Sequence, residues 1–386
     1  MRRCFKNISA SLVVIITILL TAVSCNKDYH FGFKNLCFYH PHTAPVQVNV
    51  NWNEFLHIEQ PTGMTVFVWP ENPEEENYRF ITHNLNMITL DLEAGNYNAF
   101  VYNQTESEYA TIEFHNLEDY ETAEARVRET KSDWYTKLPD TKVGSEPEWL
   151  AIDCVEGIEV TEGMVAVAEE EYFAGIPEAE KHHDYKYSNT QKKTKDGTKS
   201  VYDIGTLVPK SIIKNVDLYV HLENLPYLRS SRGAVSDMAE GCYIASQKTT
   251  KGHVTHTLES WKVEYEQDEE LGVNMMKGAI KVSLSTFGLP DGHSGKPSDN
   301  TLLIKLLLVD NQTLLEQEFH IGDQLADLNE YDGSQLDEKG NPKWPEIHVY
   351  WPEPLPEVEP FGGSDGAFDI GVGDWGDEII TELPLM

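Results

Sequence analysis

The segment Val46-Gln47-Val48-Asn49-Val50-Asn51-Trp52 alternates strictly between apolar and polar side chains. Successive side chains of a β-strand point to opposite faces of a sheet, so this alternation predicts a strand with one buried face. Similar short runs follow along the chain, separated by turn residues such as the glycine at position 95, which is free to adopt a positive φ. The strands predicted in this first half are Val46–Trp52, Met64–Trp69, Tyr78–Thr82, Met87–Leu92, Tyr97–Tyr102 and Ala110–Phe114.

Short strands are also predicted in the second half of the chain. The run LLIKLLLV within Thr301–Val309 is almost continuously apolar, which suits a strand that is buried on both faces. Asp310-Asn311 is predicted to turn the chain into a paired strand, and Tyr227–Ala239 is the best candidate for a short helix. The strands predicted here are Trp149–Asp153, Met164–Ala168, Ser211–Leu222, Gly241–Gln247, Ala279–Thr286, Thr301–Val309 and Thr313–His320.

Many short strands at near-regular spacing predict an all-β fold, built as two tandem antiparallel β-sandwich domains. The alternation fades between Glu121 and Glu148, where charged and small residues predominate and a linker is expected. The polar, basic segment Glu180–Ser200 is predicted to be an exposed loop. The predicted divisions are a first sandwich at 46–130, a linker at 131–148, a second sandwich at 149–325 and an acidic Gly/Pro/Trp-rich tail at 326–386.

The first residues have the organisation of an export signal. A basic start with Arg2, Arg3 and Lys6 precedes the apolar run Leu12–Leu20, which is too short to cross a bilayer. The small residues that follow lead to Cys25, and this exit resembles a bacterial lipobox. The resemblance implies a signal peptide at 1–24, a lipid on the thiol and amine of that cysteine, and a tether at 25–45. Ala22 departs from the pattern, because leucine is more common there. The alternative is a plain signal peptide followed by an incidental cysteine.

The chain is strongly acidic, with 64 Asp and Glu residues against 30 Lys and Arg residues and a net charge of −34. Such a surface repels phosphate backbones and anionic lipids, so neither nucleic acid nor a lipid surface is an expected partner of the protein surface itself. Attachment to a membrane would therefore depend on the lipid at Cys25. Hydrophobic residues make up 40% of the chain, which excludes a disordered polymer.

Three cysteines remain once Cys4 leaves with the signal peptide and Cys25 is acylated. An odd number permits at most one internal disulfide, and the spacing of Cys37, Cys154 and Cys242 matches neither a zinc ribbon nor a redox motif. We expect all three to be reduced and mostly buried, and a disulfide between two of them stays open.

Several histidine groups are weak candidates for metal binding. His40 and His42 flank a proline, but no third ligand is evident, and the other groups are more simply read as exposed polar residues. The acidic tail could recruit calcium, although its spacing does not fit an EF-hand loop and a flexible acidic tail is the alternative. These further candidates are His182, His183 and Asp184; His253 and His256; and Asp365, Asp369 and Asp374.

No motif for catalysis or phosphate binding is predicted: HExxH is absent from the sequence, and no segment is predicted to form a nucleophile elbow or a Gly-rich phosphate loop between a strand and a helix. The segment Gly292-His293-Ser294-Gly295 lacks the spacing of a nucleophile elbow and is predicted to be a turn. The prediction is therefore a protein that is not an enzyme, with no catalytic residue, no metal, no cofactor and no small-molecule substrate.

An ordered set of segments resembles one family of exported lipoproteins of Gram-negative anaerobes. This is a family of unknown function allied to the fimbrillin-associated anchor lipoproteins of the minor-fimbrium type. Phe38-Tyr39 departs from it, since relatives often carry an acidic residue before His-Pro-His. The matching segments are LCFYHPH (36–42), MTVFVWPENPEEENYRF (64–80), LEAGNYNAFVYNQTES (92–107), LENLPYLRSSRGAVSDMAEG (222–241), STFGLPDG (285–292), LLIKLLLVDNQTLLEQEFHIGDQL (302–325) and FGGSDGAFDIGVGDW (361–375).

The resemblance implies transthyretin-like sandwiches on a lipidated N-terminus at the outer membrane, facing either the periplasm or the cell surface. It also implies an anchor or accessory subunit of a fimbrium-like polymer, with fimbrillin-like subunits as partners. Partner capture would proceed by β-strand addition, in which an extended segment completes the edge of a sheet. Ile379, Thr381 and Leu383 share one face of a C-terminal segment that could act as the donor strand, or that could pair within its own domain.

The alternative function is that of a surface glycan-binding lipoprotein, in which exposed aromatic rings form the binding platform. Trp344, Trp351 and Trp375 lie in the tail and could stack on sugars, or could hold the tail against a sandwich edge. Two or three coplanar exposed rings on one face would favour the glycan hypothesis.

Overall fold

A computed structural model of the protein describes residues 42–52, 61–72, 74–132, 134–135, 142–174, 200–268, 272–331, 336, 338 and 343–361. These residues contain twenty strands and one α-helix, α1 (Glu162–Ala174). The predicted all-β class is therefore confirmed. No helix among the described residues is long and apolar enough to span a membrane.

The strands are short at the N-terminal end of the chain and reach their greatest length in its second half. In chain order they are β1 (Ala44–Val50), β2 (Met64–Pro70), β3 (Tyr78–Thr82), β4 (Met87–Leu92), β5 (Gly95–Asn103), β6 (Ile112–His115), β7 (Glu124–Val127), β8 (Lys142–Gly144), β9 (Ala151–Val160), β10 (Tyr202–Leu207), β11 (Lys210–Ser211), β12 (Lys214–Glu223), β13 (Leu228–Ala239), β14 (Gly241–Tyr243), β15 (His253–Leu258), β16 (Lys262–Asp268), β17 (Gly272–Thr286), β18 (Thr301–Leu308), β19 (Leu314–His320) and β20 (Glu346–Tyr350).

The chain divides into two compact units. One comprises residues 1–46, 90–94 and 160–202, and the other comprises residues 47–89, 95–159 and 203–386. In the described part of the first unit, α1 begins after Thr161, whose hydroxyl accepts a hydrogen bond from the Met164 N–H at 3.2 Å. The His42 ring lies 2.5 Å from the Glu169 carboxylate on the same helix.

The helix contradicts the predicted strand Met164–Ala168. The alternation of valine with alanine resembles a period of two, but Thr161 caps the first turn and Glu162 lies in that turn. Alanine and glutamate are good helix formers, and a capped, acidic first turn favours the helix over an isolated strand.

The second unit contains four sheets and part of a fifth, connected mainly by antiparallel pairs. Parallel pairing joins β12 to β20 and β15 to β8. Residues 47–50 of β1 lie between β4 and β10 in the remaining sheet, where the Val50 N–H donates to the Asn86 carbonyl at 2.8 Å. The other strand orders are β11-β9-β5-β2-β3, β19-β18-β13-β15-β8, β16-β17-β12-β20 and β14-β7-β6.

A continuous cluster of buried side chains forms the core of the second unit, from Phe67 to Leu355 along the chain. It includes a compact aromatic group in which Trp69 lies 4.5 Å from Phe67 and 4.7 Å from Phe100, measured between ring centroids. Burying one such side chain contributes about 1.5–3 kcal/mol, so this group is a main source of stability.

The predicted helix at Tyr227–Ala239 is wrong, because β13 occupies those residues. The pairing of β13 with β15 shifts register between Val235 and Met238, and Asp237 has a φ of 58° there. A bulge of this kind interrupts the period of two that marks a strand in sequence, so the pattern is hidden.

Other expectations agree with the structure. β18 is buried on both faces, and Asn311 has a φ of 59° in the turn that leads to β19. Two segments expected to be irregular contain strands, since β8 lies within the predicted linker and β20 lies within the predicted tail. The division into two tandem sandwiches stays a prediction, and the loop predicted at Glu180–Ser200 falls outside the described residues except at its last residue.

Candidate functional site

Most of the residues predicted to carry chemistry lie outside the described residues. They are Cys25 for lipidation; Ile379, Thr381 and Leu383 for partner binding; and Cys37, His40, His182, His183, Asp184, Asp365, Asp369, Asp374 and Trp375. Their roles stay predictions.

The two histidines of β15 do not converge on one site. His253 lies 3.5 Å from the Asp237 carboxylate at the surface, whereas His256 is completely buried. Residues three apart on a strand face opposite ways, which separates the rings. The expectation that His256 is exposed is therefore wrong. Among the described residues, no three His, Cys, Asp or Glu side chains come together in a way that could hold a metal ion.

Both described cysteines are free thiols. Cys242 is buried and Cys154 is half-buried, and burial raises the pKa of each thiol to about 12. They are therefore protonated near neutral pH, which agrees with the expectation that they act as small apolar residues.

The strongest candidate for a partner-binding site is the edge of the four-stranded sheet at β16. Within the described chain, no backbone group bonds to the outer side of this strand. All of its described side chains, residues 262–267, are exposed, including Val263 at 46% and Tyr265 at 39%. An unpaired strand edge with uncovered apolar side chains is a template for pairing with another chain.

A bulge in β17 shapes this edge. The pairing jumps from Tyr265 opposite Gly278 to Glu266 opposite Asn274, so residues 275–277 have no partner on β16. Only glycine fits at position 278, since a Cβ there would lie 2.2 Å from the carbonyl oxygen of Glu264. The bulge leaves Met275 and Met276 exposed beside β16.

Two other edges of the second unit, β20 and β19, are less available. On β20, the N–H of His348 donates to the side-chain carbonyl of Gln324 at 3.2 Å. On β19, the inward side chains Leu315 and Phe319 already pack against the core. On β16, by contrast, the outer backbone groups have no partner in the described chain, and an added strand would cover Val263 and Tyr265.

An outer groove of about 630 Å³ lies beside β16 on the solvent face of the same sheet. Cross-strand pairing places Glu264 opposite Ala279, and Ala279 opposite His221. The small alanine leaves a depression between the larger neighbours, which explains why the groove forms here. It is lined by Tyr219, His221, Leu222, Glu223, Glu264, Tyr265, Glu266, Lys277, Gly278, Ala279, His348, Tyr350, Trp351, Pro352, Glu353 and Pro354.

Four aromatic rings form a stacked row along one wall of the outer groove. Ring centroids lie 4.7 Å apart for Tyr219 and His348, 5.3 Å for the two histidines, and 4.5 Å for His221 and Tyr350. The rings cover one another's faces, so the row presents ring edges rather than a coplanar platform. Tyr350 ends the row and is 70% exposed.

The two histidines of this row share a hydrogen bond, with His221 Nε2 at 3.0 Å from His348 Nδ1. Burial lowers the pKa of His221, and the neighbouring His348 lowers it further. The groove is otherwise acidic, because four glutamates line it with a single lysine, Lys277, which pairs with Glu223 at 2.6 Å. Imidazole nitrogens and carboxylates give this groove hydrogen-bonding groups for a neutral or cationic ligand.

Part of the aromatic row could be inferred from the sequence. Alternation in Asp217–Leu222 and in Glu346–Tyr350 places each tyrosine and histidine of the row on a polar face. The alternation of Lys262–Glu266 also marks β16, although no strand was predicted there. The parallel pairing that joins β12 and β20 could not be inferred from local patterns.

Comparison with known proteins gives one family and a group of distant structures. No curated protein matches the chain. A candidate adhesin of Bacteroides ovatus is 14% identical with a TM-score of 0.46, and the match covers 87% of this chain and 100% of that one. The fimbrial anchor protein Mfa2 of Porphyromonas gingivalis is 11% identical with a TM-score of 0.38, covering 80% of this chain and 90% of that one.

A second candidate adhesin, from Bacteroides thetaiotaomicron, is 13% identical with a TM-score of 0.43, and covers 80% of this chain and 91% of that one. The family model described as "Domain of unknown function (DUF5119)" matches residues 32–259, which is more than half of the chain. The expected membership in a family of unknown function is thus confirmed, and the chain belongs to the DUF5119 family.

Proposed function

We propose that the protein is a non-catalytic, lipid-anchored component of the cell envelope that serves as an anchor or accessory subunit of a fimbrium-like polymer. Partner engagement occurs by β-strand addition at the open edge of β16, and this edge is the observation that carries the proposal. The export signal and Cys25 support the envelope location, and the ordered family motifs support the fimbrium-like context.

The edge can supply a substantial share of a binding free energy. About half of the seven residues of β16 direct both backbone groups outward, which allows roughly seven new hydrogen bonds. Each contributes about 0.5–1.5 kcal/mol net. Alternate side chains of the added strand would cover Val263 and Tyr265, which adds apolar burial and selects the partner.

The C-terminal segment provides a second element of the proposal. Ile379, Thr381 and Leu383 form the apolar face of a donor strand that this subunit offers to a neighbouring subunit. A lipid at Cys25 holds the N-terminus, so the leading strand cannot be released, and this suits a terminal position in a polymer.

The edge is tested with Val263→Lys in the full chain. A lysine at this position places a charge under the added strand, which natural edge strands use to prevent pairing. We expect capture of a purified fimbrillin-like subunit, measured by biolayer interferometry, to weaken at least about tenfold. Leu314→Lys is the matched control, because Leu314 is a similarly exposed apolar residue on β19. Loss of capture in the control alone, or in neither variant, refutes pairing at β16.

The donor strand and the anchor are tested separately. Deleting Asp377–Met386 is expected to prevent capture of the next subunit while circular dichroism stays unchanged; unaltered capture would contradict the donor role. Cys25→Ser is expected to release the protein from the membrane fraction, and mass spectrometry of the native N-terminus should show acyl chains. An unmodified N-terminus in the native protein refutes the anchor.

The outer groove favours glycan binding as a second candidate function. Tyrosine, tryptophan and glutamate side chains line it, and these can stack on sugar rings and accept hydrogen bonds from hydroxyls. The stacked row lacks the coplanar rings expected of a platform, so Tyr350 and Trp351 would provide the ring faces. Ala279→Trp would fill the groove and should abolish retardation in polysaccharide gels, whereas Val273→Trp on the neighbouring hairpin should not. Retardation that survives groove filling excludes this site.

A further inference from the structure

A second cavity in the same unit has the opposite charge to the rest of the protein. It measures about 420 Å³, and its lining comes from Lys210, Ser211, Ile212, Lys214, Cys242, Gln247, Lys248, Thr249, Phe287, Leu289, Pro290, Asp291, Gly292, His293, Ala326 and Asn329. Its volume is in the range of small-ligand sites. We refer to it as the lysine-lined cavity.

The local charge balance is distinctive. Three lysines and one aspartate line the cavity, in a chain where acidic residues outnumber basic ones by 64 to 30. The single carboxylate, Asp291, lies 4.0 Å from the ammonium of Lys251 at the rim. A cationic concavity in a strongly anionic surface concentrates small anions, because field lines converge there.

One wall of the cavity is rigid. The side chain of Asn329 accepts a hydrogen bond from the Leu289 N–H at 2.8 Å and donates to the Leu289 carbonyl at 2.9 Å. Gly288 has a φ of 117°, and a Cβ there would lie 2.2 Å from the Asn329 amide oxygen. The wall therefore keeps one shape before any ligand binds, which lowers the entropic cost of binding.

The cavity joins an apolar back to a cationic rim. Phe287, Leu289 and Ile212 are buried in the core behind it. Lys214 also lines the cavity and donates a hydrogen bond to the carbonyl of Tyr331, which fixes the position of its ammonium group. Lys248 is exposed at the rim.

We propose that the lysine-lined cavity binds a small organic acid of monosaccharide size, of the hexuronic acid class. Its carboxylate pairs with Lys248 at the rim, and its ring lies beside the exposed methyl group of Ala326. No arginine lines the cavity, whereas phosphate sites favour bidentate guanidinium groups or a helix N-terminus. This site is separate from β16 and does not depend on strand addition.

The test is isothermal titration calorimetry of the full chain with galacturonate. Galactose has the same ring without the carboxylate, so it measures binding that does not depend on charge. Sodium sulfate tests whether the cavity binds any small anion. Lys248→Ala removes one cationic partner, and Lys343→Ala is the matched control. Lys343 carries the same charge, is exposed and does not line the cavity. Ala326→Phe fills the cavity without changing charge.

We expect galacturonate binding to weaken about tenfold in Lys248→Ala, to change less than about twofold in Lys343→Ala, and to disappear in Ala326→Phe. Binding should also weaken as NaCl rises, because part of it is electrostatic. The proposal is overturned if galacturonate does not bind, if galactose or sulfate binds equally well, or if the two lysine variants behave alike. Circular dichroism of each variant establishes that folding is intact.

Discussion

Acid should destabilise the folded protein through one buried histidine, His256. Its side chain has no exposed surface, and it lies in β15 between β13 and β8, opposite Gly144. Burial lowers its pKa from 6.5 to about 4. The backbone of Gly144 and Ser145 approaches the ring and raises the pKa in part, but neither ring nitrogen has a partner with hydrogen-bond geometry, so burial dominates.

The direction and size of this pH effect follow from the difference in proton binding between the folded and unfolded chain. The unfolded chain binds this proton near pH 6.5, while the folded chain resists it until about pH 4. The contribution of the neutral ring to the free energy of unfolding is therefore fully present above pH 6.5, and it is lost as the pH falls toward 4. At about 1.4 kcal/mol per pH unit, the loss is about 2 kcal/mol between pH 7.5 and 5, and about 3 kcal/mol in total.

The assay is urea unfolding of the wild type and His256→Leu at pH 7.5, 6.5, 5.5 and 5.0. Leucine fills a similar space without titrating, so groups common to both proteins cancel in the difference. The free energy of unfolding of the wild type should fall by about 2 kcal/mol more than that of the variant over this range. Parallel pH profiles would refute the assignment of a buried neutral imidazole.

Three further substitutions or probes follow from the packing. Gly278→Ala should lower the free energy of unfolding by about 1–3 kcal/mol in urea titrations, because the new Cβ meets the Glu264 carbonyl; a neutral result would mean that the bulge adapts. Cys154 and Cys242 should resist iodoacetamide at pH 8 in the folded protein and react in urea, since burial raises the pKa of both thiols; prompt alkylation of the folded protein would contradict this. Trp69→Ala should cost about 3–5 kcal/mol by removing the centre of the aromatic group, and calorimetry showing an unchanged melting temperature would exclude that role.

The all-β class could be predicted because the signal for it is local. In β12, Val216, Leu218 and Val220 are buried. Tyr219 and His221, which alternate with them, lie on the outer face, as expected for a strand with one buried face. Prediction failed where a local pattern was ambiguous or interrupted. The valine and alanine run of α1 imitates a strand until the cap at Thr161 is considered, and the bulge of β13 breaks the alternation that would have revealed it.

The lysine-lined cavity shows a different limit of prediction. Lys214, Lys248 and Asn329 are far apart in sequence, and each belongs to an ordinary stretch of chain. They line one cavity only because the fold brings together the segments 210–214, 242–249, 287–293 and 326–329. Gly288 lies in the segment STFGLPDG, which was matched to the family. A glycine is needed there because Asn329, about forty positions later in the chain, approaches its backbone closely.

An unpaired sheet edge is harder still to predict from sequence, because a strand is an edge only if no other strand pairs with its outer side, and local patterns do not show this. The alternation of β16 says that it is a strand, and its charges at Glu264 and Glu266 are what a solvated edge carries to avoid indiscriminate pairing. Val263 and Tyr265 oppose that protection, since they leave apolar surface uncovered. If β16 were only a protected edge, replacing both with lysine should improve solubility with no loss of partner capture. If it is a docking strand, the same change should abolish capture, and this outcome separates the two interpretations of one exposed strand.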